Sequence, residues 1–379
     1  MSSHLSPSAQ TLLTRRDNLA ELCWRDGLPD GSPTPTADSL PGGTVLLRVE
    51  AVALTANTLT YGLLGEQLRY WDFFPSSQPG WGCLPAWGTA QVEASTVSEL
   101  PQGCRVSGLL PIATHCVMRP VRVTPRSLRD GAVHRRDLPG AYQHYDRLAP
   151  TEAGAPGPDT TEALGALLRP LFVLGFLLAD YIVEMVERPS SATVVLTSAS
   201  SKTAQAIAEQ LAGSGIRVVG LTGPAHLGAC AASGLYDAVL GYPSVEGVAE
   251  HTADGGVVLV DIAGDPLLRD RLRAALAGRV ARTVLVGAAH RAPGPVLVPS
   301  CTEEVFFAPD RIRRRTADWG ADELRRRQDL AWQVYLAHTR PRVALLPAHG
   351  PEALIRVYHE LRQGHCPPEH GHILFPAAC

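Results

Sequence analysis

The sequence predicts an α/β protein in which a small all-β domain precedes a doubly wound parallel sheet. Three observations carry this prediction. At 379 residues the chain exceeds one ordinary hydrophobic core, so two domains, or one domain with an insertion, are expected. Between 190 and 290, continuous apolar runs alternate with Ala-rich or amphipathic stretches, the pattern of strands buried on both faces. In the first 130 residues the apolar runs are short and broken by Gly and Pro, as in small barrel-like β domains.

The elements follow in order. Residues 27–43 are turn-formers and read as a loop. TVLLRVEAVALT alternates and is rich in β-branched residues, a strand from 44 to about 55. The stretch 61–88 is aromatic and irregular, and TAQVEAST, CRVSGLLPI and CVMRPVRVTP are further short strands. TEAGAPGPDT at 151–160 reads as a linker, followed by a helix from 162 to about 187. Then come ATVVLTSAS (strand), SKTAQAIAEQLAGSG (helix ending in Gly), and the strands IRVVGLTG, YDAVLGY, GGVVLVDIAG and ARTVLVGAAH. The tail carries amphipathic helices over 310–338 and 350–364 and closes on the strand GHILFPA.

Composition removes several functions. A hydrophobic share of 45% with 19% charged residues is a globular balance. The formal charge is 34 − 37 = −3, which argues against a nucleic-acid partner. The arginines at 311–315 and 325–327 alternate with acids and read as a solvated helix face. The apolar stretch 168–186 contains Arg169, Asp180 and Glu184, so it reads as a buried helix and no membrane partner is expected. The N-terminus lacks a basic-then-apolar signal layout, so a cytoplasmic chain is expected. Eight cysteines without CxxC pairing imply reduced thiols. Only one of the 34 basic residues is lysine, Lys202.

That lysine stands where the first strand of the parallel sheet turns into its helix. Such a turn holds phosphate because the first amides of the helix lack partners and its dipole is positive outward. The usual loop is glycine-rich; here Ser198, Ser201–Lys202 and Ala204 take the glycine places. Ser198, Ser200, Ser201 and Thr203 offer hydroxyls, and Lys202 a point charge, for a phosphate held by side chains. The alternative is an N-cap that has lost its cofactor. The next strand ends on Thr222 and Gly223 without the acid that takes a ribose diol, which favours NADP over NAD. An ATP loop is disfavoured because the first glycine of that motif and its spacer are missing.

Candidate chemistry elsewhere is aromatic. Trp71, Phe74 and Trp87 lie in one aromatic-rich run and are expected to wall a small-molecule pocket. Core packing is the competing explanation. Just upstream, Asn57, Thr60 and Tyr61 are placed at a strand end, where a tyrosine can donate to a developing oxyanion. HCPPEHGH gathers His365, Cys366, Glu369, His370 and His372, but its prolines suit a rigid loop, and no metal is expected.

The order of these pieces resembles the medium-chain dehydrogenase/reductase superfamily, on its quinone-oxidoreductase side. LLRVEAVALTANTLTYG, GAYQHYDRLAP, YDAVLGY, VLVDIAG, TVLVGAAH and ELRQG with GHILFP carry the resemblance. NTLTYG, YWDFFP, LLRPLF, SASSKTA, GLTG and DIAG resemble the DUF2855 family, a branch of that superfamily. The resemblance implies a GroES-like catalytic domain over 1–155, a Rossmann domain over 156–300, and a tail, 301–379, returning to the first. It implies no zinc, because Asn57 stands where the zinc branch has a cysteine. It places Asn57 and Tyr61 in the active-site loop, Tyr242 by the adenosine ribose, and Gly264 and Gly287 at the nicotinamide end. The expected function is NADPH-dependent, zinc-independent reduction of an enone, quinone or ketone small molecule in a biosynthetic pathway, and a homodimer is the expected assembly. The rivals are a non-redox enzyme (elimination, isomerisation or carbon–carbon chemistry) with Asp72 or His144 as acid–base group, and a binding protein on the same scaffold.

Overall fold

The computed structural model describes residues 8–150, 157–287, 299–300 and 302–377. It divides into two compact units. One runs to Leu167 and takes in Ala344–Cys366 and the segment from His370; the other is Leu168–Val343 with Pro367–Glu369.

In the first unit the organising strand is Val45–Leu54, buried along its length except at Arg48. Antiparallel partners surround it: Pro85–Ser95, His115–Met118 and His370–Phe375. The sheet continues through Arg105–Pro111, His144–Leu148, Ser127–Asp130 and Pro120–Val121. A second sheet of Gln10–Arg15, Leu22–Asp26 and Trp81–Cys83 packs on the same core, which Leu47, Leu54, Trp71, Leu84, Tyr145 and Tyr358 fill. The pairing of Val45–Leu54 with Pro85–Ser95 skips Glu50, a bulge that frees its carboxylate from the ladder. Opposite it, Gly88 makes a close approach: a Cβ there would lie 2.2 Å from the Ala51 carbonyl oxygen. Gly88→Ala is therefore expected to cost at least about 1–3 kcal/mol, read as a lower urea midpoint with an unchanged slope.

The second unit is a six-stranded parallel sheet: β1 (Thr193–Leu196), β2 (Arg217–Thr222), β3 (Ala238–Gly241), β4 (Val257–Asp261), β5 (Val280–Leu285) and β6 (Glu303–Val305). Their order is β3-β2-β1-β4-β5-β6. This is the doubly wound order that binds ligands beyond the carboxyl ends of β1 and β4, where the strand order reverses. β1 and β4 are buried throughout, as their unbroken Val/Leu runs require. The helices Lys202–Leu211, Leu227–Ala232 and Pro266–Ala275 carry the crossovers. The helix Thr160–Met185 is long and apolar enough to cross a membrane by length and composition, and 56% of its most apolar window is buried in protein.

The tail departs from expectation. Ala308–Trp319 and Ala321–Thr339 belong with the parallel sheet; only the segments from Ala344 on, less Pro367–Glu369, join the first unit. Two contacts explain it. Arg311 and Arg315 are buried and pair with Asp180 and Glu184, and Phe172 packs its ring on Trp332 and Tyr335. The arginine run is thus only partly a solvated face: Arg313 is exposed, while Arg311 and Arg315 look inward because two carboxylates await them.

Candidate active site

The glycine-free loop contains one left-handed residue. Ser198 adopts φ +53°, a left-handed conformation that costs a non-glycine residue about 1–2 kcal/mol. The surroundings hold it there. Its amide donates to the Tyr242 hydroxyl at 3.0 Å, and its carbonyl accepts from the Ser201 amide at 2.8 Å. Burial raises the Tyr242 phenol pKa, so that hydroxyl is neutral. Ser201 is the N-cap of the helix Lys202–Leu211: its Oγ accepts from the Ala204 amide at 3.1 Å. Ala204 is fully buried where a glycine would let helix and sheet approach. The missing space reappears on β2, where a Cβ on Gly220 would lie 2.8 Å from the Ala199 Cβ.

Thr222, at the end of β2, donates to Ser200 Oγ at 3.1 Å. Because Thr222 is buried and Ser200 half-buried, the outward group of the pair is the Ser200 hydroxyl rather than Thr222 itself. Thr203 opens the helix beside it. Lys202 turns its ammonium to the Pro368 carbonyl at 2.7 Å, so the single lysine anchors the 367–369 loop. Gly264 has φ +72°, and Gly287 lies so close to the Ile262 carbonyl that a Cβ would sit 3.0 Å from it. A helix N-terminus with a capping serine, outward hydroxyls and no carboxylate at the end of β2 fits a phosphorylated dinucleotide.

In the first unit, Asn57 and Tyr61 lie on the helix Ala56–Leu63 rather than at a strand end. Thr55 and Thr58 form a capping box that starts this helix, and the i,i+4 spacing puts both side chains on one face. Two donors converge on the Tyr61 oxygen: Asn57 Nδ2 at 2.7 Å and Trp87 Nε1 at 2.9 Å. The Tyr70 ring packs at a tilt of 49° against Tyr61 with centroids 4.5 Å apart, and its hydroxyl meets that of Tyr142 at 3.1 Å. Phe73 and Trp87 close around Tyr142. Burial raises the pKa of all three phenols, and the donors to Tyr61 only partly oppose it. Trp87 and Tyr142 are the half-buried members; Tyr61, Tyr70 and Phe73 lie behind them.

Other expected site residues are placed elsewhere. Thr60 Oγ1 bonds back to the Ala56 carbonyl within its own helix. Asp72 forms an exposed ion pair with Arg69. His144 faces Asp146 on an exposed strand end. Trp71 is core, wedged against Gly65 and Gly82, either of which would clash if it carried a Cβ. Phe74 lies under the Arg135 guanidinium, 4.4 Å from it. Of the expected pocket wall only Trp87 joins the phenols. Tyr70 and Tyr142 were missed, although the aromatic run and GAYQHY contained them. Among the described residues no group of three or more His, Cys, Asp or Glu is arranged to hold a metal ion.

A family described as "Protein of unknown function (DUF2855)" matches residues 52–367. No curated protein matches the chain. CurA from Vibrio vulnificus, solved in complex with NADPH, is 15% identical with a TM-score of 0.64, covering 98% of this chain and 100% of that one. The mycobacterial protein Rv1454c complexed with NADPH is 18% identical at a TM-score of 0.58, covering 97% and 100%. A mutant form of enoyl thioester reductase from Candida tropicalis is 12% identical at 0.54, covering 98% and 100%. At these identities the likeness is one of fold alone.

Proposed function

The chain belongs to the DUF2855 family, and we propose that it is an NADPH-dependent reductase of an enone, quinone or ketone. The observation that carries this reading is the loop at the end of β1. It keeps the left-handed turn and capped helix of a dinucleotide site while offering only hydroxyls, not a carboxylate, at the end of β2. That CurA and Rv1454c were solved with NADPH, on the same fold, supports the choice of cofactor.

In this reading the cofactor supplies hydride, and the chain supplies position and protons. Ser200, whose oxygen accepts from Thr222, would hold the 2′-phosphate through its O–H. The first-turn amides of Lys202–Leu211 would hold the pyrophosphate. Asn57 and Trp87 both donate to the Tyr61 oxygen, which makes its O–H a stronger donor to a carbonyl oxygen. The Tyr70–Tyr142 pair holds a second exchangeable proton beside it. With Asn57 in place of a zinc-ligating cysteine, carbonyl polarisation falls to these hydroxyls. For the non-redox rival, Asp72 is held in an ion pair with Arg69 and His144 faces Asp146.

Titration of the protein with NADPH and NADH tests the reading. Saturable quenching of protein fluorescence and a raised melting temperature are expected with NADPH, and at least about tenfold weaker binding with NADH. No response to either nucleotide overturns it. The phenols also set a pH expectation. Because burial raises their pKa above the ordinary value near 10, they stay protonated, and turnover of 1,4-benzoquinone should show no phenol ionisation below about pH 10. The same shift makes their contribution to stability fully present below about pH 10 and lost as pH rises further.

A further inference from the structure

We infer that Thr197 and Asp261 are a positioning pair that sets the nicotinamide end of the cofactor site, an inference that rests on the NADPH reading above. Thr197 follows the last residue of β1, and Asp261 is the last residue of β4. These are the two strands between which the sheet order reverses, so both side chains stand at the floor of the ligand crevice.

Their bonds all converge on one turn. Thr197 Oγ1 donates to Asp261 Oδ1 at 2.9 Å and accepts from the amides of Ile262 at 2.8 Å and Ala263 at 3.0 Å. That saturates a hydroxyl, which has one hydrogen and two lone pairs. Asp261 Oδ1 also accepts from the Gly264 amide at 2.9 Å. Three successive amides, 262 to 264, are therefore held by two side chains, and the turn ends in the left-handed Gly264. Both side chains are at most 1% exposed.

The carboxylate is braced from behind. Asp261 Oδ2 accepts from Arg269 Nη1 at 2.6 Å; Arg269 Nε donates to Glu303 at 3.1 Å, and Arg273 donates to the same Glu303 oxygen at 2.5 Å. The Asp261 carbonyl accepts from the Val286 amide at 2.9 Å, which ties in the strand end leading to Gly287. A buried ionised network is costly unless its geometry is complete, and an apolar pair would close a strand end as well. Here the side-chain network fixes the turn that ends in Gly264, and the backbone bond from Val286 to Asp261 brings in Gly287; these are the two residues the resemblance places against the nicotinamide. The adenosine end rests on different groups, Ser200, Ser201 and Thr222.

The separation of the two ends is the test. Thr197→Val keeps the shape and removes every one of the hydroxyl's bonds. Calorimetric affinities are measured for NADPH and for adenosine 2′,5′-bisphosphate, which has no nicotinamide. Thr197→Val is expected to weaken NADPH about tenfold and leave the bisphosphate unchanged, while Thr197→Ser behaves as the parent. Arg269→Gln, which removes only the brace, should fall between them and serves if Thr197→Val does not fold. Equal loss of both ligands means a merely structural role and overturns the inference, as does parental NADPH affinity in both variants. A parent protein that binds neither ligand overturns the NADPH reading itself, which is a different failure.

Discussion

Gly223→Asp should reverse the cofactor preference, weakening NADPH by about 10- to 100-fold while leaving NADH no weaker than in the parent. Gly223 follows the end of β2, has φ −66° and an extended ψ, and a Cβ built on it meets nothing within 4 Å. The substitution therefore carries no steric penalty, unlike one at the buried Thr222. Two unit charges about 6 Å apart at an effective dielectric near 20 repel by about 3 kcal/mol, which salt roughly halves. That corresponds to about tenfold in affinity per unit of charge, and a 2′-phosphate carries nearly two. NADH has no such group, and its ribose diol can donate to the new carboxylate. Gly223→Asn is the control, with the same shape and no charge. Fluorescence titrations at low and high salt read the result; an Asp variant whose NADPH affinity matches the Asn variant at low salt would show that the 2′-phosphate lies elsewhere.

The parallel sheet was readable because β1, β2 and β4 are unbroken apolar runs separated by helix-length segments, a pattern that only two-sided burial explains. The strand pair Gln10–Arg15 and Leu22–Asp26 was not, since TLLTRRDNLAELCW alternates poorly and owes its strands to pairing with each other and with Trp81–Cys83. The nucleotide turn was located but its missing glycines could not be interpreted. That Ser198 takes the left-handed turn, and that Gly220 on the neighbouring strand yields the space, depends on contacts across the sheet. Asn57 and Tyr61 were found, yet the helix that aligns them was hidden by a run of Thr and Asn, poor helix formers started here by a capping box. Tyr142 meets Tyr70 across 72 residues of chain, and no local pattern announces such a meeting. Lys202 drew attention by its rarity alone; its partner, the Pro368 carbonyl, is 166 residues away.

Arg105→Ala should be the most destabilising single change in the first unit, costing about 3–5 kcal/mol. Arg105 is 2% exposed and serves two carboxylates at once. Its Nε and Nη2 reach Glu50 at 3.0 and 2.9 Å, and its Nη1 and Nη2 reach Glu162 at 2.8 and 2.7 Å. Glu50 is the bulged residue of Val45–Leu54, so the bulge itself aims the acid at the guanidinium. Glu162 lies in the first turn of Thr160–Met185, where its amide donates to Asp159 Oδ1 at 2.8 Å and the Asp159 amide returns a bond at 3.2 Å. Removing the arginine strands the buried Glu50 carboxylate and the half-buried Glu162 carboxylate, and loosens the start of that helix. Urea unfolding at pH 7 measures the loss. The Arg105→Met, Glu50→Met, Glu162→Leu triple variant separates charge from packing. It should recover most of the lost stability, because a well-filled apolar replacement of a buried ion triad costs little, whereas half of a triad costs a great deal. A triple variant as unstable as Arg105→Ala would show that the site is held by shape and not by ionic pairing.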